Sequence, residues 1–114
     1  MHNYDIGITA TCVRVPTIGA HCESVNIEFE KKVNLDDLRN ALSSEKGVKV
    51  IDDPLNSQYP MPVTAMDKDD VFVGRIRQDN TIKNGVNLWI VSDNLRKGAA
   101  TNAVQIAEEV IKGK

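Results

Sequence analysis

The sequence predicts a single small α+β domain, and three observations support this prediction. The 114 residues suit one domain, because most domains contain about 100–150 residues. Several segments alternate apolar and polar residues, as strands do, and two others repeat apolar residues at helical spacing. The hydrophobic fraction of 41% and the charged fraction of 26% are typical of folded chains and not of disordered ones.

Two strands joined by a short connection are predicted near the start of the chain. Residues 6–14 and 21–31 alternate with a period of two, and residues 15–20 contain the proline and glycine of a connection. If the two strands pair as a hairpin, Arg14 and His21 stand at the same end of it. The apolar positions are Ile6, Ile8, Ala10 and Cys12 in the first strand, and Val25, Ile27 and Phe29 in the second.

A helix followed by a short strand is predicted next. Asn34 is a suitable N-cap for a helix over 35–46, because its side chain accepts hydrogen bonds from the first turn. Gly47 is placed to end this helix, and residues 48–51 then predict a strand. The apolar stripe of the helix consists of Leu35, Leu38 and Leu42.

The middle of the chain is predicted to be a long connection that leads into two more strands. Residues 52–69 contain three of the four prolines, and a structureless connection of this length is usually functional or lies at an interface. The two strands are predicted over 70–78 and 85–93. Apolar residues of the later strand occupy both of its faces, which indicates that each face is covered.

The last predicted element is a helix over 95–112, capped by Asp93 or Asn94. Gly98 lies in its first turns, where glycine costs about 1 kcal/mol relative to alanine. A glycine at this position indicates that another group lies close to the helix backbone. The predicted buried face consists of Ala99, Ala103, Ile106, Ala107 and Val110.

Charge and cysteine content argue against several classes of protein. The net charge of −2 and the pI near 5.6 provide no basic field for a nucleic-acid partner. The longest apolar run, residues 88–91, is far too short to span a membrane, and Asp5 interrupts any signal-peptide core. Cys12 and Cys22 lack the number and spacing of a disulfide framework or a zinc site. We therefore expect a cytoplasmic protein with no metal and with no nucleic-acid or membrane partner.

His21 and Arg14 are the residues best suited to chemistry. Imidazole exchanges protons near neutral pH, and the guanidinium fork binds carboxylate or phosphate. At one end of a hairpin they would form an anion-binding and proton-transfer pair. Each also has an ordinary interpretation, because lone histidines and surface arginines are common in proteins without catalysis. His2 belongs to the terminus and is discounted.

The other reactive side chains are weaker candidates. Cys12 shares the apolar face of its strand and is predicted to pack as a small hydrophobic residue. Cys22 follows His21 directly, so the two side chains point to opposite faces and the histidine is poorly placed to activate the thiol. Arg75 and Arg77 either bind an anion or belong to a solvated strand face.

Five segments, taken in chain order, resemble a known family. The first two resemble the R-V-P…G-H-S-E-S-V signature of bacterial aspartate-semialdehyde dehydrogenases, and the other three continue the resemblance over nearly the whole chain. Cys22 stands where the family usually has serine. The segments are residues 11–16 (TCVRVP), 19–25 (GAHCESV), 59–62 (YPMP), 73–77 (VGRIR) and 92–100 (SDNLRKGAA).

The resemblance implies an activity. Members of the family interconvert L-aspartyl 4-phosphate and L-aspartate 4-semialdehyde with NADPH, through a cysteine thioester, on the route to lysine, methionine and threonine. Phosphate is the second substrate in the oxidative direction. By this resemblance His21 is the acid/base group, Arg14 binds the substrate carboxylate, and Asn94 contacts the NADP cofactor. A homodimer or homotetramer is the expected assembly.

The resemblance also implies a fold. This fold is a mixed or antiparallel sheet with helices on one face, similar to the C-terminal catalytic and dimerisation domain of glyceraldehyde-3-phosphate dehydrogenase-like enzymes. Residues 1–92 would belong to that domain. Residues 93–114 would form the C-terminal helix that packs on the nucleotide-binding domain.

Two parts of the family's machinery have no counterpart in this sequence. It contains no Gly-rich dinucleotide-binding loop, and neither cysteine lies in the family's Ser-Asn-Cys-type nucleophile motif. The sequence therefore resembles the C-terminal third of the enzyme, with NADP bound mainly by an absent N-terminal domain, and we expect the isolated chain to be inactive. The alternative is a non-catalytic dimerisation or interaction module, against which the retained Arg14 and His21 argue.

Overall fold

The computed structural model describes residues 5–113 and shows, within that range, four strands in one mixed sheet. The strand order is β1-β4-β3-β2; β4 pairs antiparallel with both of its neighbours, and β2 runs parallel to β3. The predicted mixed sheet with helices is confirmed, but the helices lie on both of its faces and not on one. Its elements are β1 (Ala20–Glu28), α1 (Leu35–Ser44), β2 (Val48–Val50), α2 (Pro62–Ala65), β3 (Val71–Asp79), β4 (Gly85–Asp93) and α3 (Thr101–Lys112).

The two faces of the sheet carry separate hydrophobic clusters. On one face the leucines of α1 pack against residues of β1, β3 and β4. The β1 residues in this cluster, Val25 and Ile27, are apolar positions that the alternation predicted. On the other face Ala65 of α2 packs with Phe72 and Val91. The indole Nε1 of Trp89 donates a hydrogen bond to the Pro60 carbonyl oxygen at 3.0 Å on this second face. The prediction that the strand around Trp89 is covered on both faces is therefore confirmed.

Helix α1 begins as its sequence predicts. The side-chain oxygen of Asn34 accepts hydrogen bonds from the backbone N–H groups of Asp36 and Asp37, at 2.8 and 3.2 Å. These two groups have no partner inside the helix, so the cap satisfies them. Gly47, with a φ of +81°, then provides the left-handed turn that leads into β2.

The predicted strand over residues 6–14 is wrong, because the structure has no strand before Ala20 within the described residues. Residues 6–15 are exposed and pair with no neighbouring strand, and Cys12 is exposed instead of packed. Alternation shows only that a segment is able to lie flat on a core, and a strand also needs a partner for its backbone groups. Strand β1 pairs with β4 instead, so the predicted hairpin does not form.

The connection before β3 is more structured than predicted, and the last helix differs from its prediction in the first turn. The connection over 52–69 contains a 3₁₀ turn at Pro54–Asn56 as well as α2. The last helix begins with a π-helical turn, Arg96–Ala100, before α3. Its predicted apolar face is present but exposed, because α3 makes its main contacts with that turn and no residue of α3 is buried in the described structure.

Candidate functional site

The imidazole of His21 is held by three side chains at one end of the sheet. His21 lies near the start of β1, opposite Ser92 of β4. Its Nδ1 lies 2.7 Å from Oδ1 of Asn94, and its Nε2 lies 3.0 Å from the Ser92 hydroxyl oxygen. Oε1 of Glu23 lies 3.4 Å from the same Nε2. The histidine side chain remains 40% exposed, so it is oriented by the protein and still accessible to a ligand.

The turn that carries Asn94 is fixed by the buried carboxylate of Asp93. One carboxylate oxygen accepts hydrogen bonds from the backbone N–H groups of Leu95 and Arg96, both at 2.8 Å, and the other accepts from that of Asp67 at 2.9 Å. The donor groups of Arg96, Asp67 and Leu95, together with the Arg96 charge, hold the pKa of Asp93 below its usual value. Of the two predicted caps, Asp93 is therefore the residue that caps this turn.

Gly98 leaves the space that the His21 ring occupies. A Cβ atom on residue 98 would lie 3.0 Å from Cε1 of His21 and 2.8 Å from the carbonyl oxygen of Asp93. Both distances are shorter than ordinary van der Waals contact. The prediction that another group lies close to the backbone at Gly98 is confirmed, and that group is the candidate acid/base side chain.

A second carboxylate anchors the π-helical turn. Asp69 accepts a hydrogen bond from the Thr101 hydroxyl at 2.8 Å, and both of its oxygens lie 3.3 Å from Nη1 of Arg96. The Thr101 hydroxyl and the Arg96 guanidinium lower the pKa of Asp69. The start of the C-terminal helix is thus attached to the loop before β3.

Of the three predicted site residues, the structure brings two together. His21 and Asn94 are in direct contact although they are 73 positions apart in sequence. Arg14 lies in the exposed segment before β1 and makes no hydrogen bond or ion pair with the residues that the structure describes. The hairpin that was expected to place Arg14 beside His21 is absent.

Two members of the site, Ser92 and Glu23, were missed by the sequence analysis. Ser92 is found only once β1 and β4 are known to pair, because that pairing places it opposite His21. Glu23 offered a weak signal, since residues two apart on a strand share a face with each other. Its position two residues after His21 was therefore compatible with the contact without specifying it.

The cysteines do not join this site. Cys22 points to the opposite face of β1, as predicted, and it packs there against the cluster of Ala65 and Phe72. Burial raises the pKa of its thiol, which disfavours the nucleophilic thiolate.

No cluster of three metal-ligating side chains occurs in residues 5–113. In the same residues, no helix is both long and apolar enough to cross a membrane.

A cleft of about 370 Å³ lies on the face opposite His21 and is lined by Trp89, Tyr59, Arg75 and Arg77 among others. A bulge between Gly74 and Arg77 shifts the register of β3. The guanidinium of Arg75 lies 5.8 Å from the centre of the Tyr59 ring, within the range of a cation–π contact. The two arginines therefore border a partly apolar cleft and do not contact the histidine site.

Comparison with known proteins assigns the chain to a family. Residues 1–97 match the family described as semialdehyde dehydrogenase, dimerisation domain. The chain belongs to this family. It is 51% identical to the aspartate-semialdehyde dehydrogenase of Aquifex aeolicus over 112 residues, which are 98% of this chain and 33% of that protein. The Bacillus subtilis enzyme of the same name is also 51% identical, over 113 residues, with the same coverage.

Solved structures of the same enzyme share the fold of this dimerisation domain. The crystal structure of aspartate semialdehyde dehydrogenase II from Vibrio cholerae, complexed with ASA, aligns with a TM-score of 0.81 and 42% identity over 90% of this chain and 30% of that one. A probable aspartate-semialdehyde dehydrogenase from Pseudomonas aeruginosa gives 0.74 and 38%, over 85% of this chain and 28% of that one. The chain thus spans about a third of the length of its relatives.

Proposed function

We propose that this dimerisation domain is the C-terminal part of an NADP-dependent aspartate-semialdehyde dehydrogenase. The reaction converts L-aspartate 4-semialdehyde, phosphate and NADP⁺ to L-aspartyl 4-phosphate and NADPH, in the biosynthesis of lysine, methionine and threonine. The observation that supports this proposal most is the exposed His21 imidazole, held between Ser92 and Asn94 in a chain of this family. A domain that served only to join subunits would not need an oriented, accessible imidazole.

His21 is the acid/base group in this proposal. In the oxidative direction it accepts a proton as the thiol of the attacking cysteine adds to the aldehyde, and it returns a proton in the reverse direction. That cysteine comes from outside these 114 residues, because Cys22 is on the opposite face from His21 and Cys12 lies in the exposed segment before β1. The isolated chain is accordingly inactive.

Arg14 binds the substrate carboxylate in this proposal. Its guanidinium has no protein partner among the described residues and is exposed, so both of its donor edges are available for a bidentate contact. Replacing Arg14 by Lys keeps the charge and loses the fork, and is expected to raise KM for L-aspartate 4-semialdehyde more than it lowers kcat.

Asn94 fits a contact with NADP, which supplies the hydride acceptor when it is bound. Asn94 is an exposed residue whose oxygen is occupied by His21, whereas its side-chain NH₂ has no partner among the described residues. That group is available to donate to a carbonyl or phosphate oxygen. No Gly-rich loop accompanies it in the sequence, so most of the cofactor site belongs to another domain.

The assembly follows from the same proposal. Residues 1–92 form part of the catalytic and dimerisation domain, and residues 93–114 form the helix that packs on the nucleotide-binding domain. The exposed apolar side chains of α3, such as Ile106 and Val110, are consistent with such a contact. The complete enzyme is a cytoplasmic homodimer or homotetramer.

A chimaera tests the proposed activity. The C-terminal third of the Bacillus subtilis relative is replaced by this chain, with which it is 51% identical, and phosphate-dependent reduction of NADP⁺ by L-aspartate 4-semialdehyde is measured. The chimaera is expected to be active, and His21→Gln is expected to lower kcat by about 10²–10⁴-fold. His2→Gln, at the other histidine of the chain, is the matched control and is expected to be silent.

The same chimaera separates this proposal from the alternative of a non-catalytic dimerisation module. The family description names dimerisation, and the partly apolar cleft beside Trp89 suits contact with another subunit. A chimaera that folds, forms dimers and binds NADP⁺ but shows no turnover would favour the module and contradict the proposed activity.

A further inference from the structure

We propose that Asn94 is a positioning residue for His21, which keeps the hydrogen of the ring on Nδ1 and confines proton exchange to Nε2. This inference rests on the proposed acid/base role of His21 and identifies which atom performs it. It also gives Asn94 a second task beside its proposed contact with the cofactor. That task belongs to its side-chain oxygen, whereas the contact with the cofactor belongs to its NH₂ group.

The chemistry of the two side chains supports the assignment. Oδ1 of Asn94 lies 2.7 Å from Nδ1 of His21, and an amide oxygen accepts hydrogen bonds without donating them. Nδ1 must therefore carry the hydrogen in this contact. In a neutral imidazole with its hydrogen on Nδ1, Nε2 holds the lone pair and is the base.

The groups beside Nε2 suit both charge states of the ring. The Ser92 hydroxyl, at 3.0 Å, both donates and accepts hydrogen bonds. It donates to Nε2 when the ring is neutral and accepts from Nε2–H when the ring is protonated. Oε1 of Glu23, at 3.4 Å, offers a further acceptor for the protonated ring. Nδ1 keeps its hydrogen throughout, so the proton that moves does so at Nε2.

The position of the Asn94 oxygen is set by the backbone. The Asn94 N–H donates to the carbonyl oxygen of Gly19, two residues before His21, at 3.2 Å. The next two N–H groups are bound by Asp93. The strand that carries His21 and the turn that carries Asn94 are therefore joined by the backbone as well as by the side chains. The absence of a Cβ at Gly98 leaves room for the ring in this orientation.

Nuclear magnetic resonance of the 114-residue chain tests the inference without turnover. The histidine ring nitrogens are labelled with ¹⁵N in a His2→Gln background, so that the signals of His21 are the ones observed. At alkaline pH, where the ring is neutral, the wild-type side chain is expected to show the tautomer with hydrogen on Nδ1. Asn94→Leu is expected to shift the population to the tautomer with hydrogen on Nε2, because Nδ1–H has lost its acceptor.

Two further variants separate the specific effect from a general one. Asn94→Asp retains an acceptor oxygen and loses the NH₂ group, so it is expected to keep the hydrogen on Nδ1. Asn40→Leu, at an exposed asparagine of α1, is the matched control and is expected to leave the tautomer unchanged. A wild-type ring with its hydrogen on Nε2, or an Asn94→Leu variant that keeps the wild-type tautomer, would overturn the inference.

Activity of the chimaera provides an independent measurement. Asn94→Leu is expected to lower kcat by roughly tenfold or more, within the range supplied by acid/base catalysis. Asn94→Asp is expected to raise KM for NADP⁺ more than it lowers kcat. If the chimaera is inactive and the tautomer follows Asn94, the proposed function fails while the positioning role stands. If activity depends on His21 and the tautomer ignores Asn94, the positioning role fails alone.

Discussion

The ring of His21 lies against the backbone of Gly98, at a point where a methyl carbon on residue 98 would approach Cε1 of the histidine to 3.0 Å. The histidine comes from β1 and the glycine from the π-helical turn near the end of the chain. Turns of this type occur frequently at functional sites. The first turn of the C-terminal helix is therefore part of the histidine site.

Gly98→Ala is expected to lower the kcat of the chimaera, because the added methyl group displaces the His21 ring or the Asp93 carbonyl. Helix propensity alone predicts that the same substitution raises the stability of the chain by about 1 kcal/mol. Steady-state kinetics and thermal unfolding measured together distinguish the two effects. Gly7→Ala is the control, since nothing lies within 4 Å of the position its Cβ would take. Full activity in Gly98→Ala would show that this contact does not position the histidine.

Arg39 and Asp52 form an ion pair that connects α1 to the bulge in β3. Nε of Arg39 donates to the buried Asp52 carboxylate at 2.9 Å, and Nη2 donates to the carbonyl oxygen of Ile76 at 2.8 Å. The other carboxylate oxygen accepts from the Ile76 N–H at 3.3 Å. Because the Asp52 side chain is only 2% exposed, loss of its partner would leave a charge in a site that water barely reaches.

Arg39→Leu is expected to destabilise the chain by about 2–3 kcal/mol, less than for a fully buried pair because Arg39 is itself partly exposed. Urea denaturation measures this loss as a lower midpoint with an unchanged slope. Asp36→Asn is the matched control, since this exposed carboxylate lies 3.4 Å from the same guanidinium. Such a surface pair is worth at most about 1 kcal/mol. Equal losses in the two variants would contradict the importance of the buried contact.

Sequence patterns correctly predicted the strands and helices whose pairing and packing partners are present in the described part of this chain. The period-two alternation of β1 and the cap and leucine stripe of α1 describe local geometry, and the structure agrees with both. Residues 6–14 carry a similar alternation and form no strand. The difference is the partner strand, which the alternation of one segment does not report.

Some members of the site were predictable from the sequence, whereas its arrangement was not. His21 followed from the chemistry of imidazole, and Gly98 followed from its cost inside a helix. The contact between His21 and Asn94, together with the role of Ser92, depends on the antiparallel pairing of β1 with β4. That pairing joins residues about 70 positions apart, and nothing in the local sequence of β1 specifies which strand it joins.

Asp93→Asn is expected to lower stability at neutral pH and to have little effect in acid. Hydrogen bonds from backbone N–H groups, that of Arg96 first, hold the folded-state pKa of Asp93 below its usual value, which is near 3.9 in unfolded chains. The charged form is thus favoured by folding, and this stabilisation is complete above pH ~4 and is lost as the pH falls through the folded-state pKa. Asparagine keeps an acceptor oxygen but has no charge to lose.

Thermal unfolding between pH 3 and 7 measures this effect as the difference in Tm between wild type and Asp93→Asn. The difference is expected to shrink as the pH falls below about 4. Asp53, Asp69 and Asp79 also have lowered pKa values, so both proteins lose stability in acid and only their difference reports on Asp93. A difference that stays constant over this range would contradict the assignment.

The exposed apolar side chains of α3 are expected to make the isolated chain self-associate or bind apolar dyes. Ile106 and Val110 are 57% and 58% exposed, one helical turn apart, and an uncovered apolar stripe of this kind favours association. The double variant Ile106→Gln, Val110→Gln is expected to reduce both dye fluorescence and the mass measured by light scattering. Leu55→Gln, at a leucine outside α3 that is 96% exposed, is the control. A wild-type chain that stays monomeric at high concentration and binds no dye would show that α3 does not present such a surface.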